Sequence, residues 1–106
     1  MAAKCAADSC LSAVCQVLDE DSPEERGFCI VRPPGHHTHI DDNGGFCFFN
    51  NVALAAKLAA DHGKRVLIFD WDIHQGDGTQ RIFYGSDKVM LMSLHRLNFY
   101  PGRSDA

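Results

Sequence analysis

The sequence lacks the features that mark several classes of protein. No apolar run approaches the roughly 20 residues of a membrane-spanning helix, and no basic stretch with an apolar core follows Met1, so neither a membrane span nor a signal peptide is expected. Basic residues do not cluster, and 10 basic against 14 acidic side chains give a net charge of -4. This balance argues against direct binding of DNA or RNA. We expect an intracellular protein with no membrane or nucleic-acid partner.

Paired cysteines are absent as well. The five cysteines are odd in number and none is spaced as in a zinc finger, which argues against a disulfide framework or a structural zinc site. Cys5, Cys10 and Cys15 recur at every fifth position, which places successive ones about 140° apart on a helix. They therefore do not share one face, and we expect small, buried or half-buried thiols in a reducing compartment.

The sequence does contain an alternation of helical and strand patterns. Predicted helices cover 3–18, 52–61 and 79–84, and predicted strands cover 28–31, 66–70 and 89–93. This alternation predicts an α/β fold with a parallel sheet and flanking helices. Because runs such as 66–69 are apolar throughout, helices should cover both faces of the sheet. Three parallel strands would leave two bare edges, which suggests a part of a larger domain.

The clearest chemical signal follows the strand at 66–70. In Asp70-Trp-Asp72-Ile-His74, residues 70, 72 and 74 can lie on one side, at the carboxyl end of a parallel strand, where α/β sheets place their sites. Two carboxylates and an imidazole can supply ligands to a hydrolytic zinc ion. Alternatively, an N-capping aspartate and a surface histidine would give the same pattern.

A second signal, Arg32-Pro-Pro-Gly-His36-His37, ends the preceding predicted strand. Adjacent histidines suit acid–base catalysis, because each can be tuned by its own carboxylate partner. They could equally be metal ligands or solvated loop histidines.

A third signal is the glycine and aromatic cluster at 44–51, Gly-Gly-Phe-Cys-Phe-Phe-Asn-Asn. Glycines let the backbone approach a ligand closely, and clustered aromatic side chains could wall a narrow channel. The alternative is that at least two of the three phenylalanines belong to the core before the following helix.

The order and spacing of these motifs resemble the histone deacetylase family, in particular its class II branch. The matching stretches are Arg-Pro-Pro-Gly-His-His, Gly-Phe-Cys-Phe-Phe-Asn-Asn-Val-Ala, Asp-Trp-Asp-Ile-His-x-Gly-Asp-Gly-Thr-Gln, Ser-Leu-His-Arg and Phe-Tyr-Pro-Gly. Bacterial acetylpolyamine amidohydrolases are similar and share the fold. The resemblance runs from about Ala3 to Arg103 but covers only the middle third or so of the family's catalytic domain. It implies that residues 1–106 are a partial domain of the arginase/deacetylase-type three-layer fold.

The resemblance implies a zinc site that this chain fills only in part. Asp72 and His74 match two of the family's three zinc ligands, and the remaining aspartate is expected beyond Ala106. The family's transition-state donor, a tyrosine or sometimes a histidine, is expected there too. Rim residues that orient the substrate are expected before Met1.

The resemblance also implies roles for the tandem histidines. They match the family pair that flanks the zinc-bound water, one as general base and the other as general acid or electrostatic partner. Each has a carboxylate partner that fixes its tautomer and raises its basicity. The matching residues are His36 with Asp70 and His37 with Asp77.

Further positions match the family's substrate channel and cation sites. The implied acyl-lysine channel has Gly45 and Phe46 on one side and Tyr100 on the other. The implied monovalent cation site, usually filled by potassium, comprises Asp70, Asp72, His74, Ser93 and Leu94. A second, more distant cation site would include Phe83, Ser86 and Val89. Two positions depart from the family: Thr38 replaces a usual alanine, and Gln75 a frequent histidine.

The activity that the resemblance implies is zinc-dependent hydrolysis of acetyl-lysine in histones or other proteins, giving acetate and free lysine, with K⁺ as a further cofactor. Expected partners are acetylated proteins such as histone tails, and corepressor complexes, in the nucleus, the cytoplasm or both. Two alternatives stay open, a non-catalytic truncated interaction or decoy segment and an acetylpolyamine deacetylase. With a zinc ligand and the transition-state donor expected elsewhere, we expect the chain alone to be an inactive fragment.

Overall fold

Three helices and two strands make up the fold. The computed structural model describes residues 1–102, so Arg103, the end of the resemblance, lies outside the described residues. In chain order the elements are α1 (Ala2–Leu18), α2 (Asn51–Asp61), β1 (Val66–Asp70), α3 (Asp77–Phe83) and β2 (Val89–Ser93). Each helix begins within two residues of its predicted start, and both strands have their predicted bounds. No helix within residues 1–102 combines the length and the apolar character that crossing a membrane requires.

The two strands form a parallel sheet, as the α/β pattern predicted. Val66 pairs with Val89 and Asp70 with Ser93, so the carboxyl ends of both strands meet at one edge. Parallel neighbours need a crossover connection, and α3 lies in that connection. The prediction of a parallel sheet with flanking helices is confirmed.

The segment at 28–31 is not a strand, and this prediction was wrong. The described part of the chain contains no strand beside it, and the side chains of Phe28 and Ile30 are 90% and 89% exposed. A strand exists through its backbone ladder with a neighbour, so strand-forming side chains alone cannot create one.

The core lies on one face of the sheet only. Ala56 and Ala60 of α2 pack against Ile68 and Val89, with Val66, Phe83 and Leu91 around them. Side chains on the opposite face stay open to solvent, with exposed fractions of 58% for Leu67 and 61% for Met90. Helices were expected on both faces, and this too was wrong for the described residues. The alternation of strand side chains explains the result, because α2 can cover only every second residue.

Helix α1 packs against α2 rather than against the sheet. An open, mainly apolar groove of about 730 Å³ lies between α1, α2, β1 and the exposed segment 28–31. Its walls include Val14, Cys29 and Phe69. The cysteines are all free thiols, but only Cys47 is buried and Cys10 half-buried, so the expected burial does not extend to the other three. The groove adjoins the edge of the sheet at the carboxyl ends of β1 and β2, which we call the polar edge, since His36 and Asp70 also line the groove.

Candidate active site

The tandem histidines lie in a tight turn that is fastened on three sides. The Thr38 backbone N–H closes the turn onto the Gly35 carbonyl at 3.0 Å. The side chain of Asn50, the N-cap of α2, donates to the Thr38 carbonyl at 3.1 Å, and the Thr79 N–H of α3 donates to the His36 carbonyl at 3.2 Å. The loop that carries the tandem histidines is thus held by the starts of two helices.

His36 pairs with Asp70, the last residue of β1. Its Nδ1 lies 2.8 Å from Asp70 Oδ2, and since a carboxylate only accepts, Nδ1 donates. Burial by itself would lower the pKa of His36, but the Asp70 hydrogen bond and charge outweigh burial and raise this pKa above its ordinary value. Burial would likewise raise the pKa of Asp70, yet the bonds from His36 and from the Asp72 N–H hold it below its usual range.

His37 pairs with Asp77, the first residue of α3. Its Nδ1 donates to Asp77 Oδ1 at 2.8 Å, and a third imidazole, His39, reaches the other oxygen through Nε2 at 2.7 Å. Burial would raise the pKa of Asp77, but the bonds from His37 and then His39 lower it below its usual range, so the carboxylate is ionised at neutral pH. The structure therefore brings together all four residues predicted to act in catalysis.

Close backbone contacts position these pairs. A Cβ built on Gly45, whose φ is +51°, would overlap the ring of His37. A Cβ on Gly76 would lie 2.6 Å from Asp70 Oδ2 and 3.0 Å from His36 Nδ1. Glycine at both positions lets two chain segments approach the imidazoles more closely than any other residue could.

The predicted zinc ligands lie beside the histidine pairs. His74 Nδ1 is 2.9 Å from Asp72 Oδ1, which also accepts the His74 backbone N–H at 2.8 Å. Two atoms bound at about 2.0–2.1 Å to one tetrahedral zinc lie about 3.3 Å apart, so the two atoms need to separate only slightly to share a metal. A metal would then replace the proton between them. Within residues 1–102 no group of three or more His, Cys, Asp or Glu is arranged to hold a metal ion.

Aromatic rings surround the two ligands. The Tyr100 ring meets the edge of His37 at 4.9 Å between centroids and lies 6.0 Å from the ring of His74. Phe99 stacks on His74 at 5.1 Å. Gly45 and Tyr100 thus both contact His37, and Phe46, the third residue of the predicted channel, is 90% exposed.

The residues of the predicted cation site cluster at the carboxyl edge of the sheet. Asp70 and Ser93 are partners in the strand register, and the Leu94 N–H donates to the Asp70 carbonyl at 3.0 Å. Asp72 and His74 follow in the same loop. The Ser93 hydroxyl lies 2.8 Å from His95 Nδ1. In the second predicted cation site, the Ser86 N–H bonds the Phe83 carbonyl at 2.9 Å and its hydroxyl accepts the Val89 N–H at 3.1 Å.

The arrangement suits acid–base chemistry at a metal. The imidazole rings of His36 and His37 lie 4.1 Å apart, and each ring donates a hydrogen bond from Nδ1 to a carboxylate. In the neutral form the lone pair of each ring is then on Nε2, which can take a proton. Carboxylates behind both rings stabilise the imidazolium that results.

Comparison with known proteins agrees with this constellation. The profile described as histone deacetylase domain matches residues 1–106. The chain belongs to the histone deacetylase family. It is 49% identical over 104 residues to histone deacetylase 6 of Caenorhabditis elegans, covering 93% of this chain and 11% of that protein. It is 43% identical over 98 residues to a probable deacetylase of Archaeoglobus fulgidus, covering 92% of this chain and 27% of that protein.

The fold agrees as well. The crystal structure of the HDA15 HD domain superposes with a TM-score of 0.89 at 45% identity, covering 96% of this chain and 30% of that one. This likeness confirms the deacetylase-type fold. The chain thus spans less than a third of the length of these family members.

Some residues of the site were missed by sequence reasoning. His39 has no predicted role, yet it is buried and bonded to Asp77. Phe99 has no predicted role either, and its ring stacks on His74. The available signal for His39 was a third histidine close to the tandem pair in a short loop.

Proposed function

We propose that this chain carries the tandem-histidine part of a zinc-dependent deacetylase site that hydrolyses acetyl-lysine in proteins. The observation that carries the proposal is a pair of imidazoles 4.1 Å apart, each hydrogen-bonded to an ionised carboxylate. Asp72 and His74 lie beside them as candidate metal ligands. Membership of the histone deacetylase family supports the same assignment.

The residues divide the chemistry between them. One imidazole takes a proton from the attacking water at Nε2, and the other gives a proton to the leaving amine, with Asp70 and Asp77 stabilising the charged forms. Asp72 and His74 would hold Zn²⁺, which when bound polarises the amide carbonyl and acidifies water. Tyr100 and Gly45 confine the space beside His37 and would help to align an acyl chain.

The finer assignments follow from the family. We propose histone tails or other acetylated proteins as substrates, acetate and free lysine as products, and K⁺ near Asp70 and Ser93. We also propose residence in the nucleus, the cytoplasm or both, with corepressor complexes as partners.

A non-catalytic role for the isolated chain is the second candidate. Catalytic zinc takes three protein ligands, and residues 1–102 offer Asp72 and His74 without a third His, Cys, Asp or Glu arranged beside them. We infer that the 106-residue chain alone binds zinc weakly and does not hydrolyse amides.

Zinc content and hydrolysis of an acetyl-lysine peptide by the purified chain test that second inference. The variants His36→Ala and His37→Ala identify activity that depends on the pair, and His62→Ala, on an exposed histidine after α2, is the matched control. We expect less than one zinc per chain and equal, background rates for all four proteins. Stoichiometric zinc with histidine-dependent hydrolysis would show that the isolated chain is active.

A chimera tests the deacetylase proposal itself. Residues 1–102 replace the matching segment of the HDA15 HD domain, which supplies the rest of the fold. We expect hydrolysis of an acetyl-lysine peptide that His37→Ala reduces at least about 100-fold, the scale of one positioned acid–base group, while His62→Ala leaves it intact. A folded, zinc-loaded chimera without histidine-dependent hydrolysis would refute the proposal. Faster hydrolysis of an acetylpolyamine than of the peptide would favour the polyamine alternative.

A further inference from the structure

The third histidine of the loop has no part in the chemistry proposed above. His39 is buried, and its side chain is only 6% exposed. Its Nε2 lies 2.7 Å from Asp77 Oδ2, on the side of the carboxylate away from His37. A buried imidazole with so short a contact to a carboxylate is committed to that contact, because its alternative partner, water, is excluded.

The tautomer of His39 follows from its other neighbour. Arg81 Nη1 lies 3.5 Å from His39 Nδ1, at the long limit of a hydrogen bond. A guanidinium has only donors, so Nδ1 must be the acceptor and Nε2 must carry the proton. The carboxylate of Asp77, which only accepts, requires the same assignment. Both contacts therefore agree on a His39 ring that donates to Asp77 through Nε2.

Two imidazoles thus hold one carboxylate by its two oxygens. Asp77 Oδ1 accepts from His37 and Oδ2 accepts from His39, at 2.8 Å and 2.7 Å. A carboxylate held through one oxygen can rotate about its terminal torsion, whose energy wells are broad. Held through both oxygens, its plane is fixed, and Oδ1 stays directed at His37.

The neighbouring pair uses the same device with a different donor. Asp70 Oδ2 accepts from His36, and Asp70 Oδ1 accepts the backbone N–H of Asp72 at 3.0 Å. Each carboxylate behind a tandem histidine therefore has a second anchor. For Asp70 the anchor is backbone, which any sequence provides, whereas for Asp77 it is the side chain of His39.

We propose that His39 is a positioning residue that orients Asp77 and thereby holds His37 in its Nδ1–H tautomer. With that tautomer fixed, Nε2 of His37 keeps the lone pair that proton transfer needs. The bearing on hydrolysis rests on the proposed function, but the orientation of the carboxylate does not. The competing role for His39 is packing of the loop, since its backbone N–H also donates to the Asp42 carbonyl at 2.8 Å.

Nuclear magnetic resonance of the histidine side chains separates the two roles. In ¹⁵N-labelled chain, long-range ¹H–¹⁵N correlations distinguish Nδ1–H from Nε2–H rings, and a carboxylate-bound ring proton gives a downfield signal. His39→Phe keeps a ring of similar size without a donor, and His39→Gln keeps a side-chain N–H donor. His36, bonded to Asp70, is an internal control in every spectrum.

The wild-type chain should show both His36 and His37 as Nδ1–H rings. In His39→Phe we expect the downfield His37 signal to be lost and the His37 tautomer to become mixed, while His36 is unchanged. In His39→Gln we expect the downfield His37 signal and its Nδ1–H tautomer to return. Retention of the His37 signal in His39→Phe would overturn the proposal. Loss of both signals together would assign His39 to loop packing, and failure of glutamine to restore His37 would show that the donor is not what matters. None of these readouts needs hydrolysis, so an inactive deacetylase site would leave the result interpretable.

Discussion

The polar edge of the sheet and the apolar face of the sheet are organised in opposite ways. At the edge, the polar side chains of His37, Asn50 and Thr79 are buried. Asn50 bonds Thr79 of α3, and His37 of the loop bonds Asp77 at the start of α3. On the face of the sheet opposite α2, which we call the bare face, large apolar side chains such as Leu67 and Met90 are open to solvent. Most soluble domains show the reverse distribution, with apolar groups inside and polar groups outside.

The difference shows which part of the site is locally complete. Each hydrogen bond of the histidine pairs joins residues that this chain supplies, so their geometry needs nothing further. The exposed face and the groove beside β1 gain stability only from apolar contacts, and within residues 1–102 few such contacts reach them. We expect substitutions at the polar edge to be costly and those on the bare face to be tolerated.

Asn50→Ala should have the largest effect on stability. The side chain caps α2 through the Ala53 N–H at 3.1 Å and donates to the Thr38 carbonyl and the Thr79 hydroxyl at 3.1 and 3.0 Å. Loss of the cap costs about 1 kcal/mol, and two buried groups left unpaired cost about 1 kcal/mol each, which predicts a loss of about 3 kcal/mol in unfolding free energy from urea denaturation.

Asn51→Ala is the matched control for this change. Asn51 is also buried, and its side chain donates one hydrogen bond, to the Pro33 carbonyl at 3.2 Å, so we expect a loss of about 1 kcal/mol. Equal losses for the two variants would mean that the bonds across the polar edge contribute nothing beyond a single hydrogen bond.

Ile68→Ala and Leu67→Ala compare the two faces of β1 directly. Ile68 is 6% exposed beneath α2, whereas Leu67 is 58% exposed on the bare face. Removing the buried side chain should cost about 2 kcal/mol, and removing the exposed one less than about 0.5 kcal/mol. Urea denaturation of both variants measures the difference, and a cost for Leu67→Ala as large as that for Ile68→Ala would show that the bare face is covered in solution.

Acid should weaken the half-buried Asp77 site more than an exposed ion pair. The pKa of Asp77 is lowered in the folded chain, because the bonds from His37 and His39 outweigh burial, which by itself would raise it. A lowered folded pKa gives stability that is complete above the unfolded value, about 3.9, and is lost as pH falls through the folded pKa. The urea midpoint of the wild-type chain should therefore decrease as the pH falls below about 4. It should decrease less in Asp77→Asn.

Asp61→Asn is the control on the solvent side. The pKa of Asp61 is also lowered, by its hydrogen bond from Lys57, but this pair is exposed. Salt at about 0.5 M screens exposed pairs, so it should abolish the difference in urea midpoint between Asp61→Asn and wild type. The difference in urea midpoint between Asp77→Asn and wild type should remain. If salt abolished both differences, the Asp77 site would behave as a surface pair.

The sequence predicted the helices and strands well, but it predicted poorly which elements lie beside the sheet and on its faces. Helices and strands follow local periodicity, so the bounds of β1 and β2 could be predicted to the residue. Pairing is not local, so the pattern at 28–31 could not reveal that no strand within residues 1–102 lies beside it. In the site, the partners of His36 and His37 came from resemblance to the family. His39 needed the structure, because its partner lies 38 residues further along the chain.

Thr38 offers the smallest and most specific test of the polar edge. It stands where the resemblance to the family predicts alanine, and its hydroxyl is the one buried side-chain polar atom in the described residues without a hydrogen-bond partner. An unpaired buried hydroxyl costs about 1–2 kcal/mol, whereas its methyl group contributes about 0.8 kcal/mol. Thr38→Val, which replaces the hydroxyl with a methyl group of similar size, should raise the unfolding free energy by about 1 kcal/mol. Thr38→Ala should raise it by about 0.5 kcal/mol, and Thr38→Ser, which keeps the hydroxyl and loses the methyl, should lower it by about 0.8 kcal/mol. A stability loss in Thr38→Val would mean that water or another group bonds this hydroxyl, and that the polar edge is fully paired.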